Sequence, residues 1–109
     1  VGGAFHTSLM QPAVAAMVEA VAAAGIRPPR LPVVTNDTAL PTRDAAGIER
    51  ELTYQLTHPV RWVQCVEYMA AQGVTTFVEI GPGRVLSGLI KRIASGPQTK
   101  SVNGAGSLA

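Results

Sequence analysis

Cysteine occurs once, at Cys65, in this chain of 109 residues. No internal disulfide can therefore brace the fold, and no cysteine-based metal cluster can form. Such usage suits a reducing compartment, and the cytoplasm is the expected setting. Histidine occurs only at His6 and His58, and neither stands at ligand spacing from the other or from an acidic pair, so no metal site is expected. Charge is sparse and nearly balanced: nine Lys and Arg against seven Asp and Glu leave a formal +2. Without a basic run interleaved with aromatics, nucleic acid is not an expected partner. No apolar run approaches the ~20 residues of a membrane-spanning helix. A Gly-x-Ser-x-Gly elbow is absent, so a hydrolase-type serine nucleophile is not expected in this chain. The N-terminal Val1-Gly2-Gly3 carries neither an initiator methionine nor a signal pattern, and reads like the interior of a longer chain.

What is present is apolar but small. Hydrophobic residues make up 47% and aromatics only 5%, with alanine and valine prominent. These side chains suit close helix–helix and helix–sheet contact rather than a bulky core, and the length allows one small domain or a piece of a larger one. Ser8-Leu9-Met10-Gln11 fits a capping box opening a helix to about Ala24, stopped by Gly25. That helix is apolar nearly all round, with Glu19 its one charge, which predicts burial on more than one side. Leu31 to Asn36 reads as a short strand, and Asp37 to Pro41 as loop. A second helix is expected from about Asp44 to Thr57, ended by the His58-Pro59 step. A third should run from Pro59 in its first turn to Gln72, with Val63, Val66, Met69 and Ala70 at helical spacing. Thr75 to Ile80 is β-rich and closes on Gly81-Pro82-Gly83. A fourth helix follows with Leu86, Leu89, Ile90 and Ile93 on one face, then a last strand near Lys100-Ser101-Val102. Helices alternating with strands place the chain in the α/β class, as helices packed on a short sheet.

Few residues can carry chemistry. His6 lies in a glycine-rich loop before a helix, and His58 ends a helix. Loop residues on a rigid scaffold are disproportionately functional, although the bland reading of either is a polar loop or capping residue. Ile48, Leu52, Gln55 and Leu56 fall at i, i+4, i+7 and i+8, which puts Gln55 on an apolar face. A buried amide there needs a partner, since leaving it unpaired costs about 1–3 kcal/mol. That partner could be backbone, or the amide could orient a catalytic group, and spacing does not choose. Gly81-Pro82-Gly83 between strand and helix lacks the Gly-Lys-Ser/Thr ending of a phosphate loop. Leu86 stands where a dinucleotide fingerprint has its third glycine, so a tight turn is the better account.

Five stretches together carry a family resemblance: Gly3-Ala4-Phe5-His6-Thr7-Ser8-Leu9-Met10, Pro32 to Asn36, Gln55-Leu56-Thr57-His58-Pro59-Val60-Arg61-Trp62, Val66 to Gly73, and Phe77 to Leu86. In that order they resemble malonyl-CoA:acyl-carrier-protein transacylases, over nearly the whole chain up to about Ile93. The resemblance implies the C-terminal part of an α/β-hydrolase-like acyltransferase core, across residues 1–109. The nucleophile-bearing part and a ferredoxin-like subdomain would lie outside it. It implies transfer of a malonyl group from malonyl-CoA to the phosphopantetheine thiol of acyl carrier protein, in fatty acid biosynthesis. The route is a malonyl-serine intermediate, with no cofactor beyond the two substrates.

By position in that family, His6 would be the general base and acid, with Gln55 accepting a hydrogen bond from its other ring nitrogen. Phe5 would favour malonyl over methylmalonyl, because an aromatic beside the acyl pocket leaves little room for an α-methyl group. The family's serine, oxyanion donors and carboxylate-binding arginine have no counterpart here. The expectation is thus an enzyme at full length and an inactive chain alone. Lys91 and Arg92 match a pair implied to dock the acidic carrier protein, while a solvated basic pair near a helix C-terminus explains them equally well. The competing expectations are an acyltransferase domain of a polyketide synthase, and a non-catalytic fragment that docks carrier protein.

Overall fold

The structure, a computed structural model, describes residues 3–104; Val1, Gly2 and residues 105–109 of the expected terminal segments lie outside the described residues. The chain divides into two compact units, Val1–Cys65 and Val66–Ala109. Helices accompany short sheets in both, as the α/β expectation holds.

The first unit opens with a 3-10 turn, Ser8–Ala13, followed by helix α1, Val14–Ala24. Its N-cap is Thr7, not Ser8: the Thr7 hydroxyl accepts from the Leu9 N–H at 3.3 Å. Pro12 explains the tighter start, because it has no N–H for an i→i−4 bond. The turn instead begins with an i→i−3 bond from Met10 to Thr7, 3.0 Å. Gly25 ends α1 in the left-handed region, φ 62°. Expected burial on several sides is not found: Val21 is the one buried residue of α1, and Val18 is 48% exposed. Within this unit α2 is the helix that packs on α1, and one neighbour covers only one stripe of a helix.

The expected strand shrinks to β1, Val33–Val34, paired antiparallel with β2, Pro41–Thr42, in a segment read from sequence as loop. Two-residue strands carry too little pattern to be seen in advance. The turn between them closes with bonds from the Ala39 N–H to the Thr35 carbonyl and from the Thr35 N–H to the Leu40 carbonyl, 2.9 and 3.1 Å. Helix α2 is Ala45–Tyr54, with the Asp44 carboxylate accepting from the Gly47 N–H at 2.7 Å. It ends before Thr57, the expected limit. Beyond Gln55 the bonds turn to i→i−3, from Leu56 to Thr53 and from Thr57 to Tyr54. Helix α3 is Trp62–Ala71, three residues later than Pro59 suggested. The Arg61 N–H is given instead to the Asn36 carbonyl, at 2.9 Å, which holds the residues before it out of the helix. Val66 is fully buried and Cys65 nearly so, whereas Val63 is 47% exposed.

The second unit is a βαβ arrangement. Strand β3, Thr76–Ile80, pairs in parallel with β4, Gln98–Val102, and α4, Val85–Ile93, contacts both strands. The turn at Gly81 and Gly83 has φ of 132° and 80°, a left-handed path that glycine takes at no steric cost. Glu79 closes this turn on itself. Its carboxylate accepts from the Leu86 and Ser87 N–H groups at 3.1 and 2.9 Å, and from the Ser87 hydroxyl at 2.8 Å. These donors, the Ser87 N–H foremost, hold the Glu79 carboxyl below its usual range. Of the predicted apolar face of α4, Ile90 is buried, whereas Leu86 and Leu89 are 41% and 37% exposed.

Candidate functional site

The C-terminal end of α2 is where the chemistry-bearing residues of the first unit gather. A helix ends with carbonyls that have no partner within it. Two of them here are taken by histidines. The Tyr54 carbonyl accepts from Nδ1 of His58 at 2.6 Å, and the Gln55 carbonyl accepts from Nδ1 of His6, also at 2.6 Å. A carbonyl oxygen can only accept, so Nδ1 of His6 carries a proton, and in the neutral imidazole Nε2 keeps its lone pair. His6 reaches this partner across 49 residues of sequence. His58 reaches back only four and stands 5.5 Å from the Tyr54 ring, so it acts as a local cap.

His6 is half-buried and has φ 63°. A non-glycine residue in the left-handed region costs on the order of 1–3 kcal/mol and persists only where the surroundings impose it. Here the imposing contacts are the Gln55 carbonyl on the ring and Thr7 on the chain. The Thr7 hydroxyl donates to the Ala4 carbonyl at 2.6 Å while accepting from the Leu9 N–H, closing the loop around His6.

Gln55 meets His6 through the main chain, not the side chain. Its amide oxygen accepts from Nδ2 of Asn36 at 3.0 Å. Helical spacing put Gln55 on an apolar face; its amide pairs there with the Asn36 side chain, while its main-chain carbonyl takes the bond from the His6 ring nitrogen that the family resemblance implies. Asn36 stands out in the sequence as the end of an expected strand and of a family motif, not as a site residue, and a carbonyl as acceptor leaves no signature in residue identity. Thr7 was missed for a similar reason, since Ser8 stood one residue away with an equally good capping side chain.

Phe5, beside His6, is 54% exposed, and its ring lies against Gly3: a Cβ there would meet Cε2 of Phe5 at 2.6 Å. Lys91 and Arg92 belong to the second unit, exposed in the last turn of α4. Cys65 is no rival nucleophile, because burial, and then the Glu51 charge, push its thiol up. A cleft of about 460 Å³ runs along β2 and the start of α2 and does not include His6. No set of three His, Cys, Asp or Glu among the described residues could hold a metal ion. None of the described helices is long and apolar enough to cross a membrane.

An oriented imidazole with a free Nε2 can take a proton from a hydroxyl or thiol and return it, given a reacting group within about 3 Å. No family model matches the chain. Individual proteins do. Over 93 residues the chain is 43% identical to the malonyl CoA-acyl carrier protein transacylase of Bacillus subtilis (strain 168), covering 85% of this chain and 29% of that protein. The acyl carrier protein S-malonyltransferase of Vibrio cholerae superposes with a TM-score of 0.91 at 40% identity, over 99% of this chain and 35% of that one. A malonyl-transacylase solved in complex with its type II polyketide acyl-carrier protein superposes with a TM-score of 0.90 at 39% identity, again over 99% and 35%. The chain thus spans about a third of the length of the relatives it matches, and its α/β fold is that of the corresponding segment of those acyltransferases.

Proposed function

Taking the chain as a segment of the malonyl CoA-acyl carrier protein transacylase family, we propose that it supplies the proton-transfer histidine of a malonyl transfer between two thiols. The observation that carries this reading is the 2.6 Å bond from Nδ1 of His6 to the Gln55 carbonyl. It fixes the tautomer and aims the free Nε2, the task an acidic triad member performs elsewhere. The acceptor sits at the negative end of the α2 dipole, so the imidazolium formed during proton transfer keeps a partner.

In the proposed cycle the nucleophile is a serine hydroxyl from a segment outside this chain. Nε2 of His6 removes its proton as the oxygen attacks the thioester carbonyl of malonyl-CoA. The carbon–sulfur bond then breaks, and the proton passes to the departing CoA thiolate. In the second half-reaction His6 takes the proton of the phosphopantetheine thiol of acyl carrier protein. That sulfur attacks the malonyl-serine ester carbonyl, the acyl carbon–serine oxygen bond breaks, and the proton returns to the serine oxygen. Acid–base balance is complete in each half, and no cofactor beyond the two substrates is required. Phe5 would narrow the acyl pocket toward malonyl, and Lys91 with Arg92 would steer the acidic carrier protein.

Replacing His6 with alanine in the full-length protein tests the assignment. Turnover should fall by about 10²–10⁴-fold in both half-reactions, the contribution of a general base, with the thermal transition retained. Undiminished malonyl transfer by the variant would remove His6 from the mechanism. The type II polyketide relative favours a second setting, in which the same transfer charges a polyketide carrier protein. Comparing turnover on fatty acid and polyketide carrier proteins separates the two.

A further inference from the structure

We propose that Asn36 is a positioning residue for His6, acting through Gln55. The inference rests on the reading of His6 as the proton-transfer group. The carbonyl that orients His6 belongs to a peptide unit at the frayed end of α2. The Gln55 N–H still makes a helical bond to the Glu51 carbonyl, 3.0 Å, but the next two N–H groups turn to i→i−3 partners at 3.4 and 3.2 Å. Helical bonding therefore holds the Gln55 carbonyl from one side only. Its side chain supplies the second hold, since the amide oxygen accepts from Nδ2 of Asn36 at 3.0 Å.

Asn36 can act as an anchor because its own backbone is fixed. Its carbonyl accepts the Arg61 N–H at 2.9 Å, just before α3 begins. The preceding residue, Thr35, is buried, gives its N–H to the Leu40 carbonyl, and accepts at its own carbonyl from the Ala39 N–H, 2.9 Å, and the Cys65 thiol, 3.5 Å. The end of β1 is thereby tied to the turn that follows it and to the first turn of α3. Asn36 carries that rigidity across 19 residues to Gln55, and Gln55 passes it to His6. Asparagine suits the place because it presents an N–H donor on a short side chain with little entropy to lose.

The test is a double-mutant cycle in the full-length protein, with malonyl-CoA and holo carrier protein as substrates. Asn36→Leu keeps the branching and approximate shape but cannot donate, and Gln55→Ala removes the amide while leaving the carbonyl. Each alone should lower kcat by roughly five- to tenfold, the kinetic equivalent of one net hydrogen bond. KM for malonyl-CoA should stay within about twofold, because a loosened base weakens the transition state and not ground-state binding. The double variant should be no slower than Gln55→Ala alone, since Asn36 then has nothing to act on. Additive losses, or an unchanged kcat in Asn36→Leu, would overturn the proposal. Should Asn36→Leu lose its cooperative thermal transition, Asn36→Ser, too short to reach the Gln55 amide, enters the same cycle with the same expectations. Retained turnover in His6→Ala would instead defeat the underlying reading of His6, so the two failures are told apart.

Discussion

Removing the Thr7 hydroxyl should loosen His6 more than it destabilises the fold. In Thr7→Ala two bonds vanish together, the 2.6 Å donation to the Ala4 carbonyl and the 3.3 Å N-cap to the Leu9 N–H. An N-cap is worth about 0.5–2 kcal/mol, and the long 3.3 Å separation places this one at the low end. A net hydrogen bond adds about 0.5–1.5 kcal/mol, and exposure of the Thr7–Ala4 pair again favours the lower half. Together they contribute on the order of 1–2 kcal/mol. That sum is comparable to the roughly 1–3 kcal/mol stored in a left-handed non-glycine residue, here His6 at φ 63°. With the tether gone, strained and relaxed loops become close in free energy, and only the strained one aims the ring. We expect Thr7→Ala to lower kcat by about three- to tenfold in the full-length protein, and Thr7→Ser, which keeps the oxygen, to restore it. Thermal unfolding should move down by a few degrees at most. A kcat equal to that of the parent, alongside that thermal loss, would show that Thr7 caps the 3-10 turn without holding the histidine.

Two further outcomes concern the second unit. The Glu79 carboxyl lies below its usual range because the Ser87 and Leu86 N–H groups and the Ser87 hydroxyl donate to it. A carboxyl lowered in the folded state stabilises fully above its unfolded value near ~4.3 and ceases to do so as pH falls through the folded value. Glu79→Gln should thus make thermal stability less dependent on pH below about 5, and an unaltered acid profile would refute the role. Lys91→Glu with Arg92→Glu should weaken apparent affinity for carrier protein by about threefold to thirtyfold at low salt, the range for two exposed ion pairs. The malonyl-CoA half-reaction should stay unchanged and the salt dependence should fall. Equal loss in both half-reactions would point to misfolding or a CoA contact, and no loss would leave the pair as helix electrostatics.

Residue identity alone determined where several elements stop and which residues were candidates. Gly25 and the Gly81-Pro82-Gly83 turn were readable because glycine takes left-handed backbone without penalty. The strand at Thr76–Ile80 and the helix after it followed from β-branched content and 3.6-residue spacing. His6 stood out as a histidine in a glycine-rich loop, and a motif resemblance supplied its suggested role. Tertiary structure alone decided what each candidate touches. Periodicity assigns a residue to a face but not the face to a neighbour, so α1 reads as buried on more than one side yet is covered along one stripe. Hydrogen bonds between residues 49 and 19 apart depend on chain closure, which no local window contains. The decisive acceptor on His6 is a backbone carbonyl, which every residue type has alike. Which carbonyl faces the ring was settled by where α2 unwinds and by the Asn36 amide that holds Gln55 there.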